Sequence, residues 1–277
     1  MRIIDLHCYP GTKEWIACQG PYVEALAKYW KRDWKGKEES EVLQDFADAG
    51  VEACLVALDL ETTIHTPPVT NEYVHAMWRR HPKRIIQCWG AVEPAKENAV
   101  VFDQIKKAVN DLGFIGFHFH PIMQHFAVNE RRYYPLFELI DELGAAVMID
   151  VGTTGMGAGL PGGMGAKIRH AHPSSIDELA ADFPSLKIVM AHPGWPWVDE
   201  TTAVALHKGN VYWEMSGWAP KHFPGNLKVD MRGRLQDKIM FGSDYPSMPY
   251  ARILKEWQEL GYPDAVMEKI FHQNAER

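Results

Sequence analysis

Four short apolar runs in this chain end on a residue that can bind a cation or move a proton. Ile3-Ile4-Asp5-Leu6 runs into His7, Lys187-Ile-Val-Met-Ala191 into His192, and Ile239-Met-Phe-Gly-Ser243 into Asp244. Gly116-Phe117-His118-Phe119-His120 carries two imidazoles. His118 and His120 alternate with Phe117 and Phe119, so on extended chain both rings share one face. Asp150 adds a carboxylate inside the apolar run Val147-Met-Ile-Asp150-Val151. A buried, unpaired carboxylate is costly, so Asp150 requires a cation, a metal or a proton. Asp244 raises the same question less sharply, because Ser243 and the Tyr245-Pro246 turn can solvate it. Each residue alone has a plain structural reading, a lone strand-end histidine above all. Together, imidazoles and carboxylates form the mixed N/O donor set that suits zinc, manganese or iron.

The elements that must position them follow from periodicity. Strands are expected at 2–8, 51–58, 84–92, 113–121, 145–151, 187–191, 210–215 and 236–243. Helices of about ten residues are expected at 38–49, 71–81, 97–112, 131–143, 175–183, 197–208, 250–260 and 263–273. Alternating strands and helices predict parallel βα units. An open doubly wound sheet would gather its site at one switch point. Here the candidate ligands end strands one, four, five, six and eight, which a distorted (β/α) barrel of the TIM type brings together at one mouth.

The 277 residues suit one such barrel domain over 1–277. Residues 9–37, rich in Gly, Pro and Trp, read as an insertion over the mouth, and 152–165 as a Gly-rich loop. The loop holds seven glycines but matches neither GxGxxG nor the P-loop spacing, so it reads as a wall or lid rather than a phosphate cradle. A net charge of −7 without a basic run argues against nucleic acid and anionic membranes as partners. No apolar stretch reaches membrane-span length. Cys8, Cys18, Cys54 and Cys88 lack CxxC spacing. With no leader pattern, this predicts a reduced, cytoplasmic protein. His172, Trp195 and Trp218 are candidate substrate contacts; His65, His170 and His222 lie in expected loops as well. Trp15, Trp30 and Trp34 add aromatic surface that would suit an apolar acyl or ring portion.

The runs 152–163, Ile188-Val-Met-Ala-His192-Pro-Gly-Trp-Pro-Trp197, Ser216-Gly-Trp-Ala-Pro220 and Phe241-Gly-Ser-Asp244-Tyr-Pro246 resemble the amidohydrolase-related branch of the amidohydrolase superfamily. That branch includes the aminocarboxymuconate-semialdehyde and resorcylate decarboxylases as well as hydrolases. The resemblance implies a barrel with a divalent metal, and a homodimer is common in that family. It matches His7 to the first histidine of a strand-one His-x-His pair, His192 to the strand-six histidine and Asp244 to the strand-eight aspartate. Tyr9 stands where the second strand-one histidine is expected. Asp150-Val-Gly152 stands where strand five should end in His-Thr-Gly, and His118 where relatives often carry a lysine. The replacements are oxygen and nitrogen donors, which predicts a re-tuned site of one or two ions rather than a lost one. Its ligands would come from His7, Tyr9, His118, His120, Asp150, His192 and Asp244. Phenolate and carboxylate favour a harder, divalent or trivalent ion, iron first and manganese or zinc next.

The expected reaction is hydrolysis, with a metal-activated water attacking the carbonyl of a thioester or ester of an organic acid, and Asp244 and His192 as the catalytic pair. A dinuclear non-haem iron thioesterase is one relative of this kind. The alternatives are metal-dependent, non-oxidative decarboxylation of an aromatic or unsaturated acid, and a metal-free barrel that binds a small acid.

Overall fold

The computed structural model describes residues 1–31 and 33–277; residue 32, within the expected insertion, lies outside the described residues. Eight strands occur in chain order: β1 (Ile4–Cys8), β2 (Glu52–Val56), β3 (Ile85–Gly90), β4 (Gly116–Phe119), β5 (Ala146–Asp150), β6 (Ile188–Ala191), β7 (Val211–Glu214) and β8 (Ile239–Met240). Each pairs in parallel with the next, giving one sheet in the order β1 to β8. The ring closes between β8 and β1 through isolated backbone bonds rather than a full ladder. Leu6 N–H donates to Phe241 O (3.1 Å), Asp244 N–H to His7 O (2.9 Å) and Tyr9 N–H to Tyr245 O (2.9 Å). The chain is therefore a nearly closed α/β barrel of the TIM type.

Helices α1 (Lys13–Gln19), α2 (Tyr22–Trp30) and α3 (Glu39–Ala49) separate β1 from β2. The rest of the outer layer is α4 (Glu61–Ile64), α5 (Asn71–Arg80), α6 (Asn98–Asn110), α7 (Tyr134–Glu142), α8 (Pro173–Asp182), α9 (Val198–His207), α10 (Gly225–Arg232), α11 (Tyr250–Gln258) and α12 (Asp264–Glu268). The strands are buried along nearly their whole length, as parallel strands covered on both faces must be. Alternation on β4 sorts its two faces. Phe119 turns outward to Phe126 and Phe137, with ring centroids 5.8 and 5.6 Å away. The His118 ring meets the His7 ring instead, at 4.9 Å.

The expected strand 236–243 shrinks to two residues. Beyond Met240 the Phe241 N–H donates to Ile270 O, in the terminal helical segment, so the backbone leaves the β7 ladder early. The expected helix at 263–273 divides into α12 and a π-helical turn at Lys269–Gln273. No helix among the described residues is long and apolar enough to cross a membrane.

Candidate metal centre

β1 delivers His7 and Tyr9, β4 His118 and His120, β5 Asp150, β6 His192, and the turn after β8 Asp244. His192 and Asp244 both adopt left-handed backbone, with φ of 70° and 57°. That conformation is disfavoured for residues with a Cβ and is typically kept where a site needs a particular aim.

A carboxylate that sequence reasoning missed aims two of these imidazoles. Glu214 ends β7 with its side chain fully buried. Its Oε1 accepts from His7 Nδ1–H (2.9 Å) and Ser216 Oγ–H (2.8 Å), and its Oε2 accepts from Ser216 N–H (2.8 Å). Burial works against its charge, but His7, with His192 and Ser216, holds Glu214 below its ordinary carboxylate range. His192 Nδ1 lies 3.1 Å from Ser216 O and 2.9 Å from Ser216 Oγ. A carbonyl can only accept, so Nδ1 carries the proton. Both rings are thus fixed with Nδ1 protonated, and both Nε2 atoms are left for the site. The signal was available: Val211-Tyr-Trp-Glu214-Met is a carboxylate at the end of an apolar run, as Asp150 is.

Two glycines leave room for this arrangement. A Cβ at Gly242 would lie 2.3 Å from Glu214 Oε2. At Gly217, whose φ is +73°, it would lie 2.7 Å from His192 Nδ1 and 3.4 Å from Asp244 Oδ2.

On the cavity side the donors converge on Asp150. His118 Nε2 lies 2.9 Å from Asp150 Oδ1, His192 Nε2 3.5 Å from the same oxygen, and His120 Nε2 3.4 Å from Oδ2. Burial opposes the Asp150 charge, but His120, His118 and His192 together hold it well below the usual carboxylate range. For His192 burial again opposes the charged ring, but Asp150, with Asp244 and Glu214 adding to it, carries His192 up to about 10. A positive charge between these two is what the geometry calls for. His120, dominated by burial, is pushed down to about 4, and Asp244 is pushed up by burial to about 6. Burial also raises the Tyr9 phenol, with Asp150 adding to the effect. The Tyr9 ring stands edge-on to His7 (5.3 Å) and His118 (6.0 Å).

These residues fit a metal ion. His7 Nε2 and His118 Nδ1 are buried without a hydrogen-bond partner. Leaving such an atom unsatisfied costs about 1–3 kcal/mol, which a cation at His7 Nε2 would relieve. Two groups among the described residues have ligand atoms within 4.8 Å of one another: His7, His118 and Asp150, and His7, His192 and Glu214. In the second, the Glu214 oxygens are already engaged by His7 and Ser216, so the first group is the better placed to hold an ion, with His192 and Asp244 beside it.

The structure does not bring every expected residue here. His172 caps α8, its Nδ1 accepting from Ser174 N–H (3.2 Å) while its ring packs on Trp197. It is not among the described residues that line the cavity. His7 and His118 lie in the cluster but are buried behind the cavity wall, whereas Tyr9, His120, Asp150, His192, Asp244, Trp195, Trp218 and His222 line it. The cavity encloses about 800 Å³ and reaches the mouth between α1, α2 and the 152–156 loop. Trp34 sits between Trp15 and Trp30 along it, with ring centroids 5.5 and 5.4 Å away.

An eight-stranded parallel barrel with imidazoles and carboxylates at the strand ends defines a class, the metal-dependent barrel enzymes. The amidohydrolase family model matches residues 10–277, and the chain belongs to that family. Among solved structures, an uncharacterized TIM-barrel protein from Bordetella bronchiseptica is 24% identical (TM-score 0.81; 100% of this chain and 98% of that one covered). The 5-carboxyvanillate decarboxylase of Sphingomonas paucimobilis is 18% identical (TM-score 0.68; 99% and 97% covered). A dihydroxybenzoic acid decarboxylase from a Polaromonas species, solved with bound manganese and 2-nitroresorcinol, is 16% identical (TM-score 0.68; 99% and 96% covered). At these identities the likeness concerns the fold. None of the curated proteins matches the chain in sequence.

Proposed function

We propose that this protein is a metal-dependent hydrolase acting on a thioester or ester whose acid portion is apolar and bulky. The observation that carries the reading is the contrast between the site and its cavity. The site is rich in anionic and neutral donors, while the only Arg or Lys among the described cavity-lining residues is Arg252, which is paired with Glu256 (2.9 Å). A free carboxylate substrate would meet Asp150 and Asp244 with only the ion and His192, and no lysine or arginine, to receive it. A neutral acyl ester or thioester meets no such penalty.

His7, His118 and Asp150 would hold the ion, with Tyr9, His192 and Asp244 within the same cluster; iron is the first candidate, manganese or zinc the next. Such an ion supplies an acidified water and polarises a carbonyl. Asp244, its carboxyl raised to about 6 by burial, is suited to take a proton from the attacking water near neutral pH and return it to the leaving group. His192, held by Ser216, orients toward the carbonyl. The tryptophans at the mouth exclude water from the acyl portion.

Elemental analysis of protein purified without chelators tests the ion, followed by turnover assays on aryl and alkyl thioesters and esters. A ferric–phenolate absorption band abolished in Tyr9→Phe would support iron on Tyr9. No metal after reconstitution with iron, manganese or zinc, or no turnover of any acyl probe, overturns the hydrolase.

A second reading, non-oxidative decarboxylation of an aromatic acid, is favoured by the similarity in fold to the Sphingomonas and Polaromonas enzymes, both decarboxylases. Carbon dioxide release from hydroxybenzoates, with acyl probes left intact, would establish it in place of the first.

A further inference from the structure

We propose that His120 is a neutral, Nε2-protonated hydrogen-bond donor to an acceptor oxygen of the bound substrate, standing outside the metal's ligand set. This deepens the hydrolase reading and rests on it for the identity of that oxygen. Sequence spacing grouped His120 with the metal ligands, but its surroundings give it the opposite tautomer from His7. The N–H of Met123 donates to His120 Nδ1 at 3.3 Å. The turn that presents this N–H is fixed at both ends. His120 N–H donates to Gln124 Oε1 (3.1 Å), Gln124 N–H returns to His120 O (2.9 Å), and Gln124 Nε2–H donates to Val92 O (2.9 Å).

A ring nitrogen that accepts a hydrogen bond cannot carry the proton, so in the neutral ring the proton is on Nε2. A cation at Nε2 would force that proton onto Nδ1 and set it against the Met123 N–H, donor to donor, in a buried turn. His7 shows the reverse: its Nδ1–H is spent on Glu214, and its Nε2 lone pair is left without a partner.

The His120 proton is also incompletely used. Asp150 Oδ2 lies 3.4 Å from Nε2 and Thr154 Oγ 3.5 Å, both at the long limit of a hydrogen bond. Thr154 Oγ already accepts from Met156 N–H at 3.1 Å. His120 lines the cavity, beside Asp150 and opposite its apolar wall. A carbonyl oxygen entering from the mouth reaches an N–H that shorter contacts do not saturate. A donor in that place stabilises charge developing on the oxygen as the carbonyl is attacked.

The test uses the full-length protein with 15N-labelled histidine and long-range proton–nitrogen spectra before and after loading with zinc. The expected result is one neutral, Nε2-protonated ring, assigned by its disappearance in His120→Gln, that zinc leaves unshifted while His7 moves. Zinc stoichiometry should equal wild type in His120→Gln and His120→Phe and fall in His7→Ala. On S-phenyl thiobenzoate, kcat should drop on the order of 100-fold in His120→Phe and recover in part in His120→Gln, whose amide can donate. A zinc-induced coordination shift at His120, zinc lost from both His120 variants, or unchanged turnover in His120→Phe overturns the proposal. If wild type binds no zinc, manganese or iron, the hydrolase reading falls on its own. The tautomer then decides for His120: an Nδ1-protonated ring overturns the assignment, and an Nε2-protonated ring sustains it.

Discussion

Glu214 is the acceptor on which two imidazoles depend, one directly and one through Ser216. Removing its charge should leave the fold standing and loosen the aim of His7 and His192. Glu214→Gln is expected to weaken metal affinity about 10- to 100-fold, the usual cost of a lost outer partner, as measured by competition with a chromogenic chelator. Gly217→Ala should be harsher, because its Cβ would lie 2.7 Å from His192 Nδ1 on left-handed backbone. Its metal content is expected to fall below that of Glu214→Gln. At this scale the sequence was legible where an ionisable group interrupts an apolar run, as at His7, Asp150, His192 and Asp244. Glu214 obeys the same rule but lies outside the runs that carry the family resemblance. His172 was misplaced for a different reason. A histidine before proline reads as loop, yet here it is the residue that caps α8, and capping turns its ring away from the cavity.

Elements explain why the donors meet. Each βα unit delivers its strand end to the same rim, and this period was readable from alternating apolar runs and amphipathic stretches. What could not be read is where a strand stops pairing. β8 ends at Met240 because the next N–H goes to Ile270, a contact between segments that are neighbours only in the folded chain. The turn beyond it is held instead by Asp5 of β1, which accepts from Ser243 N–H (2.9 Å), Ser243 Oγ–H and the Tyr250 hydroxyl of α11. Tyr250→Phe removes one donor from a buried carboxylate. It is expected to cost about 1–3 kcal/mol in urea unfolding and to lower metal occupancy by loosening Asp244, one residue from Ser243. The short helix α10 was missed as well, since its eight residues carry little apolar periodicity and begin at Gly225.

For the molecule as a whole, the charge cluster makes stability depend on pH in a way the metal should abolish. In metal-free protein His192 is carried up to about 10 by Asp150, against an ordinary value of 6.5. A raised histidine stabilises the fold fully below 6.5, and the contribution is lost as pH rises toward 10, because the folded chain holds a proton that the unfolded chain has released. Between pH 7 and 8.5 stability should therefore fall as pH rises, and toward the upper end the four thiols, held protonated by burial, add to the fall in the same direction. Urea midpoints of chelator-treated protein check this: the slope should flatten in Asp150→Asn and in metal-loaded wild type.

The join between β8 and β1 carries a further consequence. Among the described residues it is the one join without a strand ladder, and one of its three backbone bonds runs from Asp244 N–H to His7 O. A barrel parts most readily where pairing is interrupted, so transient opening would begin beside the residues proposed to hold the ion. Seating an ion there would latch the ring shut. Amide hydrogens of Leu6, Tyr9 and Asp244 should then trade with solvent deuterium far more slowly in the loaded protein, while those across β4 and β5 keep their pace.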